Sequence, residues 1–328
     1  MLMYPQINPI AVSIGPLKVH WYGVMYILSF LFVIVAGKYR IKKLGHPFMT
    51  APMVEDFMFY GALGTIVGGR LGYCLFYKPA FYLINPLQIF SVWDGGMSFH
   101  GGFLGVCLAF FIYSRKIHCK FFELADFFAI FVPMCLFFGR VGNFINGELW
   151  GRFCNPSLPW GMVFPASGSM LPRHPSELYE ALFEGIVLLI IMFTYARKPR
   201  KTGQISCVFA IGYGVIRFGL EFFREPDSFA TGIVQSTGLS LGQIYSIPMI
   251  LLFIFAYFRF IYISNIRQIY NVLSQLNQEL HNIIPFRKES LCFLRNCLNF
   301  LTSGYFEHTM YNCFRNNSTY IIYNFFFD

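Results

Sequence analysis

The residues best suited to chemistry lie in one stretch, Gly139–Arg152. It joins Arg140, Asn143 and Glu148 to four glycines, directly after an apolar run, 121–138, that is long enough to cross a bilayer. An arginine at the mouth of a membrane helix is costly unless an anion or a set of carbonyls meets it, and glycine lets backbone N–H groups approach a ligand closely. The stretch therefore predicts an anion site at the membrane surface, where phospholipid is the nearest anion. The alternative is a helix-capping loop whose polar groups satisfy one another.

A second polar group is spaced for one face of a helix. Tyr213, Arg217, Glu221 and Arg224 fall at i, i+4, i+8 and i+11 among apolar neighbours. Arg217 and Glu221 could form a purely structural ion pair. Arg224 would then leave a surplus positive charge on this face, which suits a phosphate held at the membrane boundary.

A histidine between glycines is the third candidate. His100 lies near the end of the stretch Asp94–Gly102 and could accept a proton near neutral pH; the alternative is an interfacial histidine bonded to a backbone carbonyl. Arg70 has a structural interpretation, in which it snorkels to an interface. His174 has one too, beside the predicted helix N-cap Ser176.

Composition decides which elements must position these residues. Of 328 residues, 56% are hydrophobic and only 12% are charged, whereas a soluble domain is about a quarter charged, so the chain is an integral membrane protein. The net charge of +9 comes largely from short basic clusters between apolar runs, which is a topology signal rather than a nucleic-acid surface. The nine cysteines show no CxxC pair or zinc spacing. We expect no metal, no cofactor and no nucleic-acid partner.

The predicted fold class is all-α and polytopic, with about seven transmembrane helices near 21–37, 56–77, 99–113, 121–138, 176–195, 204–223 and 241–263. The segment 139–175 is too polar for lipid and is predicted to form a small extramembrane cap. The loops after the first, third and fifth runs carry four, three and four Lys or Arg residues. The positive-inside rule places these loops in the cytoplasm, so the N-terminus and the cap lie outside and the C-terminus lies inside.

The domain boundary is predicted near residue 264. Residues 1–264 form the seven-helix membrane domain. Residues 265–328 are rich in asparagine and lack any period. They are either a poorly ordered cytoplasmic tail or an extension outside the normal reading frame.

Taken together, these stretches resemble the prolipoprotein diacylglyceryl transferase family. The matching segments are 20–23, 94–102, 139–152, 173–180 and 213–227, in the family's order, within about residues 8 to 263. The resemblance implies transfer of the diacylglyceryl group of phosphatidylglycerol to the lipobox cysteine thiol of a preprolipoprotein, which forms a thioether and releases glycerol phosphate. It also implies a bacterial inner-membrane enzyme whose active site faces the periplasm.

Carried over to this sequence, the resemblance implies catalytic roles for His100, Arg140 and Arg217. It implies substrate-binding roles for Tyr22, Asn143, Glu148, Gly151, Tyr213, Glu221 and Arg224. Guanidinium groups would stabilise the charge that develops on the departing phosphate oxygen. The thiol, with a pKa near about 8.5, needs either His100 as base or an arginine-rich field that lowers its pKa.

A transporter or lipid flippase would also place arginines inside a membrane. Transporters of this kind usually contain internal repeats with broken helices, and the sequence shows no convincing repeat. A membrane scaffold is a third alternative, which the clustering of polar residues disfavours.

Overall fold

A computed structural model of the protein describes residues 2–15, 17–91, 95–226, 234 and 236–283. The chain divides into two compact units, 1–257 and 258–328. In the described ranges the structure is mostly helical, as the composition predicts. Asp94 and Asp227, which belong to two of the sequence motifs, lie outside the described residues.

The helices are α1 to α9, with bounds Trp21–Leu44, Ala51–Phe76, Pro79–Ile84, Phe99–Lys116, Phe121–Ala129, Val132–Asn146, Ser176–Tyr195, Gln204–Leu220 and Leu241–Ile283. The described helices include three that are long and apolar enough to cross a membrane, namely α1, α7 and the part of α9 up to Ile266. The pair α5 and α6, bent by 53°, would be a fourth. The structure is thus that of a helical membrane protein.

The N-terminal segment pairs with the cap. Strand β1 (Leu2–Met3) runs parallel to β4 (Met162–Val163). Strands β2 (Ile10–Ile14) and β3 (Leu17–His20) form an antiparallel hairpin that leads directly into α1. The N-terminal segment and the cap therefore lie on the same side of the helices.

The fourth predicted span differs from the expected straight helix. It is divided into α5 and α6, and Pro133 occupies the first turn of α6. Proline has no backbone N–H and is favoured in the first turn of a helix, so a new helix begins there and the chain bends before it. Helix α6 then continues to Asn146, which places Arg140 and Asn143 on one helix.

Three other boundaries also differ. Helix α8 ends at Leu220, three residues before the predicted end, so Arg224 is not on the helix and instead pairs with Gly151 in an isolated β-bridge. The predicted loop after the second span contains α3 and a 3₁₀ helix, Pro86–Phe90. Helix α9 continues to Ile283, beyond the expected boundary at 264. Residues 284–328 of the predicted tail lie outside the described residues.

The buried apolar core joins α1, α2, α4 and α5 through Val33, Val54, Phe57, Tyr113 and Phe127. Helices α2 and α4 approach each other through glycines, as the sequence predicts for the second span. A Cβ atom added at Gly64 would lie 2.5 Å from the carbonyl oxygen of Gly105.

We expect Gly64→Ala to destabilise the protein by about 1–3 kcal/mol, because the added methyl group forces two backbones apart. Gly61→Ala, on the same helix, is the control, since its added Cβ would meet only the Phe57 ring at 4.0 Å. Thermal unfolding in detergent measures both variants. Equal melting temperatures would show that close packing at Gly64 is unimportant.

Candidate functional site

Helix α7 carries three glutamates with no exposed surface: Glu177, Glu180 and Glu184. After Glu180 the helix widens into a π-helical stretch, Ala181–Val187, that contains Glu184; such stretches are frequent at functional sites. A carboxylate buried in an apolar helix is costly unless it is paired. The partners of these glutamates therefore decide what the site is.

Two arginines pair with Glu180 and Glu184. Arg140 Nε lies 2.9 Å from Glu180 Oε2, and Arg140 Nη2 lies 3.2 Å from Glu184 Oε2. Arg217 Nη1 lies 3.1 Å from Glu180 Oε1 and 3.3 Å from Glu184 Oε1. Each carboxylate thus gives one oxygen to each arginine, and the two guanidinium groups from α6 and α8 meet at one place.

Two further charged residues complete what we call the arginine–glutamate cluster. Glu221 pairs with Arg217 Nη2, which is the ion pair that the spacing predicts. Arg224 Nη1 lies 3.5 Å from Glu180 Oε1. The cluster consists of Arg140, Arg217, Arg224, Glu180, Glu184 and Glu221.

The prediction that Arg224 leaves a surplus of positive charge is wrong. Three arginines face three glutamates in the cluster. Spacing along one helix shows only the charges of that helix, and Glu180 and Glu184 come from another. The described charges of the cluster therefore balance.

A close helix contact brings the two sides of the cluster together. A Cβ atom added at Gly185 would lie 3.0 Å from the Cα of Phe137. Since Gly185 follows Glu184 and Phe137 is three residues before Arg140, this contact places α6 against the glutamates of α7.

The end of α6 carries the next group of predicted residues. Asn143 is buried and its Nδ2 donates to Glu148 Oε1 at 2.9 Å, and Asn146 Nδ2 donates to the same oxygen at 3.3 Å. The helix ends at Gly147, whose φ of +64° favours glycine. The hydroxyl of Tyr4 lies 2.8 and 2.7 Å from the last carbonyl oxygens of the helix, those of Phe144 and Ile145. No pattern in the sequence predicts this role of Tyr4.

Gly151 lies between two backbone segments, one at His174 in the cap and one at Phe223 in the turn after α8. Its N–H donates to the carbonyl of His174 at 2.9 Å. A Cβ atom would come within 2.5 Å of the carbonyl oxygens of both His174 and Phe223, so only glycine fits. Arg173 reinforces the junction by donating to the Gly151 carbonyl at 3.0 Å. These contacts explain the glycine by packing, and its role in substrate binding stays a prediction.

The two predicted tyrosines flank the cluster. Tyr22 stands in the first turn of α1 and packs on α6, where a Cβ added at Gly142 would lie 2.9 Å from its ring. Tyr213 lies one turn before Arg217 on α8 and stacks on Phe209, with ring centroids 6.1 Å apart.

His100 belongs to a different pair of helices. It is exposed in the first turn of α4, where the Ser98 side chain caps the helix by accepting the Gly101 N–H at 3.2 Å. Helix α4 packs against α2, whereas the arginine–glutamate cluster is built by α6, α7, α8 and the turn after α8.

Two structural interpretations from the sequence are wrong. Arg70 does not snorkel, because its side chain is buried and donates to backbone carbonyls. Ser176 does not cap α7; it is already inside the helix, and its hydroxyl donates to the Leu149 carbonyl at 3.1 Å. His174 does have a structural contact, since its Nδ1 lies 3.2 Å from the Tyr179 hydroxyl. Burial also lowers the pKa of its imidazole.

Sequence reasoning missed Glu180 and Glu184 as site residues. A signal was present: Glu177, Glu180 and Glu184 follow i, i+3, i+7 spacing inside an apolar run. Glutamates with that spacing in a membrane span share one helix face and need cationic partners.

Membrane-length helices, a charged cluster buried among them and a cap on one side define an integral membrane protein with an intramembrane polar site. The chain matches the family described as prolipoprotein diacylglyceryl transferase over residues 9–259. It belongs to this family, and the resemblance seen in the motifs is confirmed. The family is one of transferases, so the chain is an enzyme.

Relatives named phosphatidylglycerol–prolipoprotein diacylglyceryl transferase agree with this assignment. The protein of Paracidovorax citrulli is 54% identical over 256 residues, which cover 76% of this chain and 94% of the relative. That of Dechloromonas aromatica is 54% identical over 252 residues, covering 77% and 95%. That of Chromobacterium violaceum is 50% identical over 273 residues, again covering 77% and 95%.

Proposed function

We propose that the chain transfers the diacylglyceryl group of phosphatidylglycerol to the lipobox cysteine thiol of preprolipoproteins. The observation that carries the proposal is the meeting of Arg140 and Arg217, which share the carboxylates of Glu180 and Glu184. Two guanidinium groups held together in a water-poor site suit one phosphate. The names of the relatives supply the substrates.

The reaction assigns a task to these arginines. The cysteine sulfur bonds to the carbon of the diacylglyceryl unit that carried the phosphate. The bond between this carbon and the phosphate oxygen breaks, and its electron pair stays on the oxygen. The thiol proton leaves to a base, and glycerol phosphate is released. Guanidinium groups fixed by buried carboxylates stabilise the charge on the leaving oxygen without reorganising. Among the described contacts Arg140 Nη1 makes none of the cluster's ion pairs, so we assign this donor to the phosphate.

The remaining site residues take supporting roles. We assign Asn143 and Glu148, joined by a 2.9 Å hydrogen bond at the end of α6, to the glycerol hydroxyls of the headgroup. Tyr22 and Tyr213 border the same region from α1 and α8, and Gly151, Glu221 and Arg224 hold the cap and the turn after α8 beside it.

We also propose seven membrane crossings in the bacterial inner membrane, with the cap in the periplasm. The pairing of β1 with β4 supports this, because it puts the N-terminal segment beside the cap. At the other end, Arg40 from the basic end of α1 donates to the carbonyl of Ala196, just after α7, at 3.1 Å. Basic ends that meet away from the cap favour a cytoplasmic location for those ends.

The proposal is tested with the purified protein in phosphatidylglycerol vesicles, using glycerol-labelled or acyl-labelled lipid and a lipobox peptide. We expect acyl label on the peptide cysteine, released glycerol phosphate, and no label on a cysteine-to-serine peptide. Label that moves between leaflets without reaching the peptide would instead support a flippase.

His100 is assigned as the base that accepts the thiol proton. We expect His100→Gln to lower transfer at pH 7 by about 10²–10⁴-fold, the usual contribution of a general base. Activity should partly recover toward pH 9, where a thiol with a pKa near about 8.5 ionises unaided. The control is His174→Gln, which alters a histidine of the cap. Normal turnover of His100→Gln at pH 7 would move the base elsewhere.

A further inference from the structure

Arg70 is a buried arginine whose described partners are backbone carbonyls. Its side chain belongs to α2, and the residue is only 4% exposed. It donates to the carbonyl oxygens of Gln88 at 2.7 Å, Ile89 at 2.9 Å and Gly96 at 3.3 Å, and also to that of Gly95. A buried charge inside a membrane helix is costly and usually marks a function. Here it is matched by several carbonyl dipoles from one short segment.

That segment leads directly to His100. After Gly95 and Gly96, both with φ near +80°, the Ser98 N–H donates to the Gly69 carbonyl at 2.8 Å. Gly69, which accepts this hydrogen bond, is thus the residue next to Arg70 on α2. Two residues after Ser98 the first turn of α4 presents the His100 side chain.

The tight turn has little freedom once Arg70 holds it. A Cβ atom at Gly96 would lie 2.8 Å from Tyr73 Cζ, so the Tyr73 ring closes one side. The face of the Tyr82 ring lies 5.3 Å from the Arg70 guanidinium carbon and covers the group that holds the turn. The residues that lead into α4 are thus held by the bonds that Arg70 makes to Gly95 and Gly96, together with the hydrogen bond from Ser98 to Gly69.

We propose that Arg70 is a positioning residue for the transfer reaction: its guanidinium binds the carbonyls of residues 88, 89, 95 and 96 and so fixes the first turn of α4, where His100 stands. The inference rests on the proposed function of His100. Lysine cannot substitute for it, because a single ammonium group lacks the planar fork that reaches carbonyls on several sides. Arg70 itself lies on α2 and acts through His100.

The test is a double-mutant cycle on transfer activity. We expect Arg70→Lys to lower kcat by about tenfold or more while the KM for the lipid changes by less than about twofold, as for a group that orients the chemistry. In a His100→Gln background the same substitution should cost less than about twofold, because coupled residues are not additive. An equal loss in both backgrounds would show a general structural role and overturn the proposal.

Hydrogen exchange supplies a readout that does not depend on activity. Arg70→Lys should speed exchange of the amides at residues 95–102 and leave those of α6 and α7 unchanged. Unchanged exchange at 95–102 would overturn the positioning role even if transfer itself were never observed, so failure of the proposed function and failure of this inference are distinguishable.

Two more variants complete the design. Arg115→Lys, at the far end of α4 with its guanidinium over the Phe111 ring, is the matched control and should leave kcat unchanged. If Arg70→Lys does not fold, Gly96→Ala distorts the same turn and should show the same non-additivity with His100→Gln. Additive losses for Gly96→Ala would count against the proposal.

Discussion

Arg140→Ala and Arg217→Ala should each lower transfer by about 10²–10³-fold, equivalent to about 2.7–4 kcal/mol of transition-state stabilisation, by analogy with the loss of one donor from an oxyanion site. Each arginine contacts both Glu180 and Glu184, so the remaining arginine cannot replace the missing one. Arg→Lys at either position should also fail, because lysine cannot span two carboxylates and a phosphate with one ammonium group.

Loss of an arginine also leaves a buried carboxylate underpaired, which can lower stability by itself. The control is the charge-balanced pair Arg140→Gln with Glu184→Gln. It should restore the melting temperature in detergent toward the wild-type value and leave transfer as low as in Arg140→Gln alone. Recovery of transfer together with stability would show that Arg140 only holds the fold.

Glu184→Gln is the second substitution from which we expect a large loss of stability and of transfer. Glu184 accepts from Arg217 through Oε1 and from Arg140 through Oε2, and an amide would turn one of these acceptors into a donor that faces a guanidinium group. Breaking a buried ion pair in this way costs about 3–5 kcal/mol. We expect a markedly lower melting temperature and loss of transfer, measured on protein purified in detergent at neutral pH.

Glu177→Gln is the matched control, because Glu177 lies on the same face of α7 about two turns before Glu184. Both carboxylate oxygens of Glu177 are buried and, within the described part of the chain, neither accepts a hydrogen bond. The isosteric amide therefore breaks no described contact, and stability and transfer should remain near wild type. Equal losses for Glu177→Gln and Glu184→Gln would contradict the role given to the bridging carboxylates.

The membrane class of the protein was predictable because it depends on composition and on runs of contiguous residues. Helices α1 and α7 follow the predicted spans closely at their first residues, Trp21 and Ser176. The bend before Pro133 was also predictable, because the proline that causes it is visible in the sequence. The early end of α8 was not, since the following turn is held by the bridge between Arg224 and Gly151, a contact across more than seventy residues of chain.

The predicted site was recovered in part. The spacing of Arg217 and Glu221 predicted their ion pair because both lie one turn apart on the same stretch. The same reasoning predicted that Arg224 leaves a surplus of positive charge and that the Arg70 side chain reaches the membrane interface. Both errors arose because the partners belong to other elements: Glu180 in one case, and the carbonyls of residues 88, 89, 95 and 96 in the other.

By itself the sequence determined the kind of protein and its family, since hydropathy, basic clusters and motifs are properties of neighbouring residues. The tertiary structure decided which charges meet. The packing of Gly185 on Phe137 brings α6 close to α7, where Glu180 and Glu184 bridge Arg140 and Arg217. Ion pairs between helices depend on distances across the fold, and no periodicity along one helix records them.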